Sequence, residues 1–234
     1  MNNKIGVLDS GIGGLVTLDV IRKELPNENF IYIADSKNNP YGEKSDEELF
    51  NIVNNNVKYL LSRNVKMVIL ACNTATTRCI GKLRELYPNM LFVGIEPAIK
   101  IVCDNNYNNA LVMATPGTIS SSRTKDLIDN NKKDDQVINL VNCDGLANAI
   151  ETKNELKIDE LLKKELTPYI NSNIDSVVLG CTHYPIIKDK IQNYFPNAKI
   201  IDGNSGVARR VKALLSENNL LNNSNTLGNV EIVQ

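Results

Sequence analysis

Two cysteines stand where chemistry is easiest to place in this chain. Cys72 closes the run Val68-Ile69-Leu70-Ala71 and is followed by Asn73-Thr74-Ala75-Thr76, while Cys181 closes Val177-Val178-Leu179-Gly180 and is followed by Thr182-His183-Tyr184-Pro185. Each apolar run reads as a strand buried on both faces, so each thiol falls where a strand hands over to a loop and a helix. Open α/β sheets place their chemistry at that end of the strand. There the helix dipole and nearby N–H donors favour the thiolate, which is the reactive form. A single such cysteine reads best as core, because free cysteine is among the most buried residue types. Two at equivalent positions point to chemistry instead.

One thiol and one histidine would suit a cysteine-nucleophile hydrolase. That reading leaves Cys72 idle, since the one histidine of the chain, His183, lies two residues from Cys181. A pair of thiols facing each other suits another task, in which one removes a proton from carbon and the other delivers one to the opposite face, inverting a stereocentre. No cofactor is needed for that, and the chain carries no dinucleotide fingerprint or other clear cofactor motif. Each thiol needs a partner for its proton. Asp9, at the end of the first strand, is the candidate beside Cys72, and His183 is the candidate beside Cys181. Glu151 is a candidate to orient His183, although alone it reads as a solvated charge at a helix end.

The elements that must hold these residues follow in order. Lys4 to Leu8 is a strand, Asp9-Ser10-Gly11-Ile12-Gly13-Gly14 a tight loop, and Leu15, Leu18, Ile21 and Leu25 mark an amphipathic helix. The glycines bring N–H groups to that helix's N-terminus, but the loop lacks a P-loop lysine. Phe30 to Ala34 is a second strand, followed by the turn-rich loop Asp35 to Lys44 containing Tyr41 and Gly42. Ser45 and Glu48 form a capping box for a helix with Leu49, Ile52, Val53, Leu60 and Leu61 on one face. Cys79 lies on the apolar face of the helix after Cys72 and reads as core, as does Cys103. Leu91 to Ile95 is a strand closed by Glu96-Pro97. The pattern then restarts with strand Asn109 to Ala114 and the loop Thr115-Pro116-Gly117-Thr118, which resembles the opening strand and its Asp9 loop. Further on come a charged helix from about Ser122 to Asn131, a strand over Val137 to Val141, a helix with Leu161, Leu162 and Leu166, a helix through Ile186 to Tyr194, a strand Lys199 to Ile201 and a helix through Val211, Leu214 and Leu215. Cys181 follows Cys72 by 109 positions, and the two opening strands stand at a similar offset. This implies an internal duplication of architecture.

Composition narrows the functional classes. The 234 residues carry a net charge of −1 with both signs interleaved, which gives no footprint for nucleic acid or an anionic membrane. No apolar stretch approaches the roughly 18 residues that suggest a membrane span, and no secretion signal opens the chain, so a cytoplasmic location is expected. Five cysteines without a C-x-x-C pair suggest reduced thiols. One histidine argues against a zinc site.

Four motifs carry a family resemblance: Asp9-Ser10-Gly11-Ile12-Gly13-Gly14, Pro40-Tyr41-Gly42-Glu43-Lys44-Ser45, Ala71-Cys72-Asn73-Thr74-Ala75-Thr76 and Gly180-Cys181-Thr182-His183-Tyr184-Pro185. In this order they resemble the glutamate racemases of the aspartate/glutamate racemase superfamily, across nearly the whole chain. The resemblance implies an α/β fold of two pseudo-symmetric lobes, each a mostly parallel sheet flanked by helices, with the active site in the cleft between them. The first lobe would take residues 1–97 with 207–234 and the second 98–206. It also implies a cofactor-independent two-base interconversion of L- and D-glutamate in a homodimer, the D-isomer serving peptidoglycan synthesis. Matching position by position, Cys72 would act on D-glutamate and Cys181 on L-glutamate. Asp9, Ser10, Tyr41, Gly42, Asn73, Thr74, Thr182 and His183 match substrate-contacting positions, Thr115 and Thr118 join them, and Glu151 aligns with an acidic residue near His183. The chain departs from the family at Arg123, where an aromatic residue is expected, and at Val230 to Gln234, where members usually continue through another strand and helix. A racemase for aspartate or another amino acid, a cysteine hydrolase and a non-catalytic amino-acid-binding protein are the alternatives.

Overall fold

The computed structural model describes residues 4–234. Its elements run β1 (Ile5–Asp9), α1 (Gly14–Glu24), β2 (Phe30–Ala34), α2 (Asp46–Ser62), β3 (Met67–Leu70), α3 (Asn73–Leu86) and β4 (Leu91–Gly94). There follow α4 (Ile99–Asp104), β5 (Asn109–Ala114), α5 (Pro116–Ile119), α6 (Ser122–Asp129), β6 (Val137–Asn142), α7 (Leu146–Glu151), α8 (Glu155–Leu166), β7 (Ser176–Leu179), α9 (Lys188–Tyr194) and β8 (Lys199–Ile201). The chain closes with α10 (Asn204–Glu217) and β9 (Val230–Val233). It divides into two α/β units, one of the residues up to Ile95 together with Asn204–Gln234, the other of Glu96–Gly203. The resemblance set the second crossing at 206/207. In the structure α10 already starts at Asn204, whose side chain accepts a 2.7 Å hydrogen bond from Thr17 of α1, and so brings that residue into the first unit.

The first unit is built on a parallel sheet in the order β4-β3-β1-β2-β9. All five residues of β1 and of β2 and all four of β3 are buried, as expected of parallel strands covered on both faces. Side chains alternate between two apolar layers. Ile5, Val7, Phe30, Tyr32, Met67 and Ile69 pack with α1 and α10, and Leu8, Ile31, Ile33, Val68 and Leu70 pack with α2 and α3. Ser45 caps α2 by accepting the Glu48 N–H at 3.2 Å, as its sequence signature predicts.

The second unit repeats the plan in the order β6-β5-β7-β8, again parallel. Leu111, Met113, Val177 and Leu179 face α7, α8 and α9, while Ala110, Val112 and Val178 face α4 and α6. β5 stands where β1 stands, β6 where β2 stands, β7 where β3 stands and β8 where β4 stands. The helix expected through Ile186 to Tyr194 begins instead as a 3-10 turn over Tyr184–Ile187, with Pro185 in its first turn, and becomes α-helical only at Lys188. Among the described residues no helix is long and apolar enough to cross a membrane.

The first unit is sealed by its returning C-terminal segment. Buried Glu28 pairs with Lys66, Nζ to Oε2 2.6 Å, and Oε1 accepts the Asn222 N–H at 2.8 Å. The ammonium also donates to the Leu220 carbonyl at 2.6 Å, so Oε2 is held by charge rather than by a well-directed hydrogen bond. Gly228 lies so close to this turn that a Cβ there would fall 1.8 Å from the Glu28 carbonyl oxygen, which only glycine permits. Breaking a buried pair strands the remaining charge. Glu28→Ala is therefore expected to lower the unfolding free energy by about 3 kcal/mol in urea denaturation, and a Glu28→Leu/Lys66→Met double variant to recover most of that loss; a single variant as stable as the parent would contradict this account.

Candidate active site

In the first unit Cys72 follows β3 by two residues and occupies the N-cap position of α3 with extended backbone angles, φ −122° and ψ 122°. Its carbonyl starts the helix by accepting the Thr76 N–H, and its buried thiol lies 3.8 Å from the Ser10 hydroxyl. Asn73 is the first helical residue and only 3% exposed, yet neither the nitrogen nor the oxygen of its side-chain amide has a hydrogen-bond partner among the described residues. Burying an unpaired amide costs about 1–3 kcal/mol, so such a group beside a helix N-terminus points to a ligand that offers both a donor and an acceptor. Thr74 is buried next to it.

Asp9 ends β1 and is fully buried. Its Oδ2 accepts the N–H groups of Gly14 at 2.9 Å and Gly11 at 3.2 Å, which seats the carboxylate at the start of α1. Gly14 makes room for it, since a Cβ there would stand 2.6 Å from the Asp9 Cβ and 2.8 Å from the Tyr32 hydroxyl. Tyr32 in turn donates to the Gly11 carbonyl at 2.6 Å and fixes the glycine loop. Tyr41 and Gly42 lie in a 3-10 turn over Tyr41–Glu43, with the Tyr41 ring buried in the same apolar layer as Cys72 and Ala75. Burial, then the hydrogen bond and charge of Asp35, then the charges of Cys72 and Asp9, raise the Tyr41 phenol far above its ordinary range. It therefore stays protonated and acts as a donor.

In the second unit Cys181 follows β7 by two residues, as Cys72 follows β3. Its Sγ lies 3.8 Å from His183 Nδ1, and His183 Nε2 lies 2.7 Å from Glu151 Oε2 at the end of α7. With Glu151 ionised and the imidazole neutral, the carboxylate accepts the Nε2–H and the Nδ1 lone pair is directed to the thiol. The imidazole is 1% exposed, which protects this arrangement from water. Thr182, between Cys181 and His183 in sequence, is buried. The Thr115 and Thr118 hydroxyls lie 3.1 Å apart, and the Thr118 carbonyl accepts Thr124 Oγ1 at 2.7 Å and Ser121 Oγ at 2.8 Å.

Strand register relates the two units residue by residue. Ile5 opposes Met67 as Ala110 opposes Ser176, so Ser10 and Thr115 are counterparts and Asp9 corresponds to Ala114. The structure thus groups Asp9, Ser10, Tyr41, Asn73 and Cys72 in one unit, and Cys181, His183 and Glu151 in the other, where Thr115 and Thr118 form a pair of their own. Arg123, at the position where an aromatic residue was expected, makes a two-pronged ion pair with Glu96, at 2.7 and 3.2 Å. Sequence reading passed over Asp35, whose carboxylate collects three side-chain donors; its only sequence signal was an aspartate directly after a strand, the same signal that marked Asp9. Among the described residues no group of three His, Cys, Asp or Glu side chains is arranged to hold a metal ion.

The other cysteines are set apart by their surroundings. Burial pushes the Cys79 thiol up to about 12, the pull of Arg78 being outweighed, and burial raises Cys143 further and Cys103 as well. With iodoacetamide at pH 8, Cys72 and Cys181 are expected to be modified before Cys79, Cys103 and Cys143, as read by peptide mass spectrometry over time; equal rates at all five would contradict this separation.

The Asp/Glu/Hydantoin racemase family model matches residues 30–211. The chain is 41% identical to the glutamate racemase of Clostridium acetobutylicum, covering 99% of this chain and 91% of that protein. Among solved structures it is similar to the Francisella tularensis glutamate racemase in complex with D-glutamate, with TM-score 0.85, 30% identity and coverage of 99% of this chain and 87% of that one. It is also similar to the Escherichia coli glutamate racemase in complex with L-glutamate and the activator UDP-MurNAc-ala, with TM-score 0.85, 29% identity and coverage of 100% and 90%.

Proposed function

The chain belongs to the Asp/Glu/Hydantoin racemase family, and from that premise we propose that it interconverts L- and D-glutamate with Cys72 and Cys181 as its two acid/base groups. The observation that carries the reading is the recurrence of a buried thiol two residues past the corresponding strand of both units, each with its own polar partners. Glutamate is favoured over aspartate by the glutamate racemases named above, the Francisella tularensis structure holding D-glutamate and the Escherichia coli structure L-glutamate.

In this reaction one thiolate takes the α-proton and the other thiol returns a proton to the other face of the planar carbanion, so no net proton is consumed. Cys72 removes the proton of D-glutamate and Cys181 that of L-glutamate. Asp9 is the proton partner on the Cys72 side, and His183, oriented by Glu151, on the Cys181 side. Both thiols lie in largely dry surroundings, where fixed dipoles act more strongly on developing charge than they would in water. The N-terminus of α3 and the amide of Asn73 suit an amino acid, the amide N–H₂ donating to a carboxylate and the carbonyl accepting from an ammonium. Ser10, Tyr41, Gly42 and Thr74 of the first unit and Thr115, Thr118 and Thr182 of the second are the further substrate contacts in this reading. No cofactor enters the scheme. The working form in this reading is a cytoplasmic homodimer supplying D-glutamate for peptidoglycan, assignments that rest on the family resemblance.

Cys72→Ser and Cys181→Ser are each expected to lower racemisation by about 10²–10⁴-fold, the range of a positioned acid/base group, when optical rotation is followed by circular dichroism with either enantiomer. A Cys72→Ser variant working at the parent rate would overturn the two-thiol scheme, and faster turnover of aspartate than glutamate would overturn the substrate.

Asn73→Ala separates a ligand-binding amide from a structural one. Removing an orphaned polar group is expected to leave the free protein as stable as the parent or about 1 kcal/mol more stable. The lost charge-assisted hydrogen bonds should weaken kcat/KM for glutamate by about tenfold or more. Lower stability with intact kcat/KM would show that the amide serves the fold instead.

A further inference from the structure

Three side chains converge on Asp35, the residue after β2. Tyr41 Oη donates to Oδ2 at 2.6 Å, Asn56 Nδ2 donates to the same oxygen at 2.9 Å, and Asn38 Nδ2 donates to Oδ1 at 2.8 Å. The Asp35 backbone N–H donates to the Asp9 carbonyl at 3.0 Å. One residue thus joins the strand end that carries Asp9, the turn that carries Tyr41 and Gly42, and α2. That helix is a firm anchor, because Leu49, Val53, Val57 and Leu60 are fully buried along it. The far end of the same loop is tied to α3, where Arg78 donates to the Lys44 carbonyl and to Asp46 Oδ1, both at 2.7 Å. A loop held at Asp35 and at Arg78 has its middle, Tyr41–Gly42, set beside the helix that begins at Cys72.

We infer that Asp35 is a positioning residue for the substrate: acting through the Tyr41 hydroxyl, it holds the Tyr41–Gly42 turn in the conformation that receives glutamate at the Cys72 side. This rests on the racemase reading above. Asp35 exchanges no proton with substrate in this account, so its loss should weaken binding of both enantiomers alike and leave the chemical step nearly intact. A merely structural carboxylate would change stability and leave KM alone.

The test is a double-mutant cycle on the full chain with Asp35→Ala and Tyr41→Phe, reading KM and kcat separately for L- and D-glutamate. Asp35→Ala is expected to raise KM for both enantiomers by about tenfold, as losing a charge-assisted hydrogen bond does, with kcat lowered less than about threefold. Tyr41→Phe, which removes the hydroxyl through which Asp35 acts, should raise KM by a similar factor, and the double variant should stay within about twofold of either single variant, because the hydroxyl and carboxylate act as one unit. Asp35→Asn, whose amide oxygen still accepts from Tyr41, should fall between parent and Asp35→Ala, and it carries the test by itself if the alanine variant does not fold. An unchanged KM in Asp35→Asn and Asp35→Ala, a loss confined to kcat, or effects of the two substitutions that simply multiply would each overturn the inference. A parent protein that does not racemise glutamate would already have overturned the reading on which it rests.

Discussion

Both thiols depend on how a parallel strand pair ends. Every backbone N–H and carbonyl along the ladder needs a partner, and the last ones find it just before the cysteine. In the first unit the Ala71 N–H donates to the Leu8 carbonyl at 2.8 Å, and in the second the Gly180 N–H donates to the Met113 carbonyl at 2.7 Å. These two bonds are counterparts, because Leu8 opposes Leu70 as Met113 opposes Leu179. The next residue is released from the sheet while still inside the core, and in both units it is cysteine. Side-chain alternation also decides which way the sulfur goes: Cys72 follows Val68 and Leu70 into the layer under α2 and α3, and Cys181 follows Val177 and Leu179 into the layer under α7 to α9. A slip of one residue in either ladder would send its thiol to the other face.

The shared register makes the differences between the units meaningful. Where the first unit has the Asp9 carboxylate, the second has the methyl group of Ala114, so a proton partner for Cys181 has to come from somewhere else. In the proposed scheme that part is taken by His183, in the loop after the cysteine, backed by Glu151 at the end of α7. A carboxylate seated by backbone N–H groups and an imidazole backed by a carboxylate are different proton partners. Duplication of the sheet therefore places the thiols alike without making them interchangeable. The hydroxyl at the next position, Ser10 in one unit and Thr115 in the other, was kept.

Much of this was legible in the sequence because it is local. Buried parallel strands read as continuous apolar runs, the Ser45 cap and the glycine loop are short-range signals, and the restart at Asn109 was visible as a second strand with a small-residue loop. The thiols, Asp9 and His183 could be named because each lies within a few residues of a strand end. What lay hidden depends on contacts distant in sequence. Val230–Val233 has no distinctive pattern, yet it pairs in parallel with β2, 200 residues earlier at Phe30 and Val230. The Glu28–Lys66 pair is invisible until the C-terminal segment passes over it. Asp35 looked like one more turn former in a polar loop, because nothing in its neighbourhood announces that Asn56, well along α2, will reach it.

The two faces of the first sheet divide the work around Cys72. The α2/α3 layer packs the thiol, Tyr41 and Ala75, while the opposite layer is shared by α1 and the returning α10, with Leu18 and Ile21 against Val207, Ala208 and Val211. That second layer looks purely structural, but α1 begins with the Gly14 N–H that holds Asp9. Any shift of α1 along the sheet moves this N–H away from the carboxylate. α1 is pinned by α10 through apolar packing and through the buried bond from Thr17 to Asn204, the first residue of that helix. The return of the chain to its first unit thus does more than complete a core, since it sets the position of the group proposed to exchange protons with Cys72 from the face of the sheet that the thiol never touches.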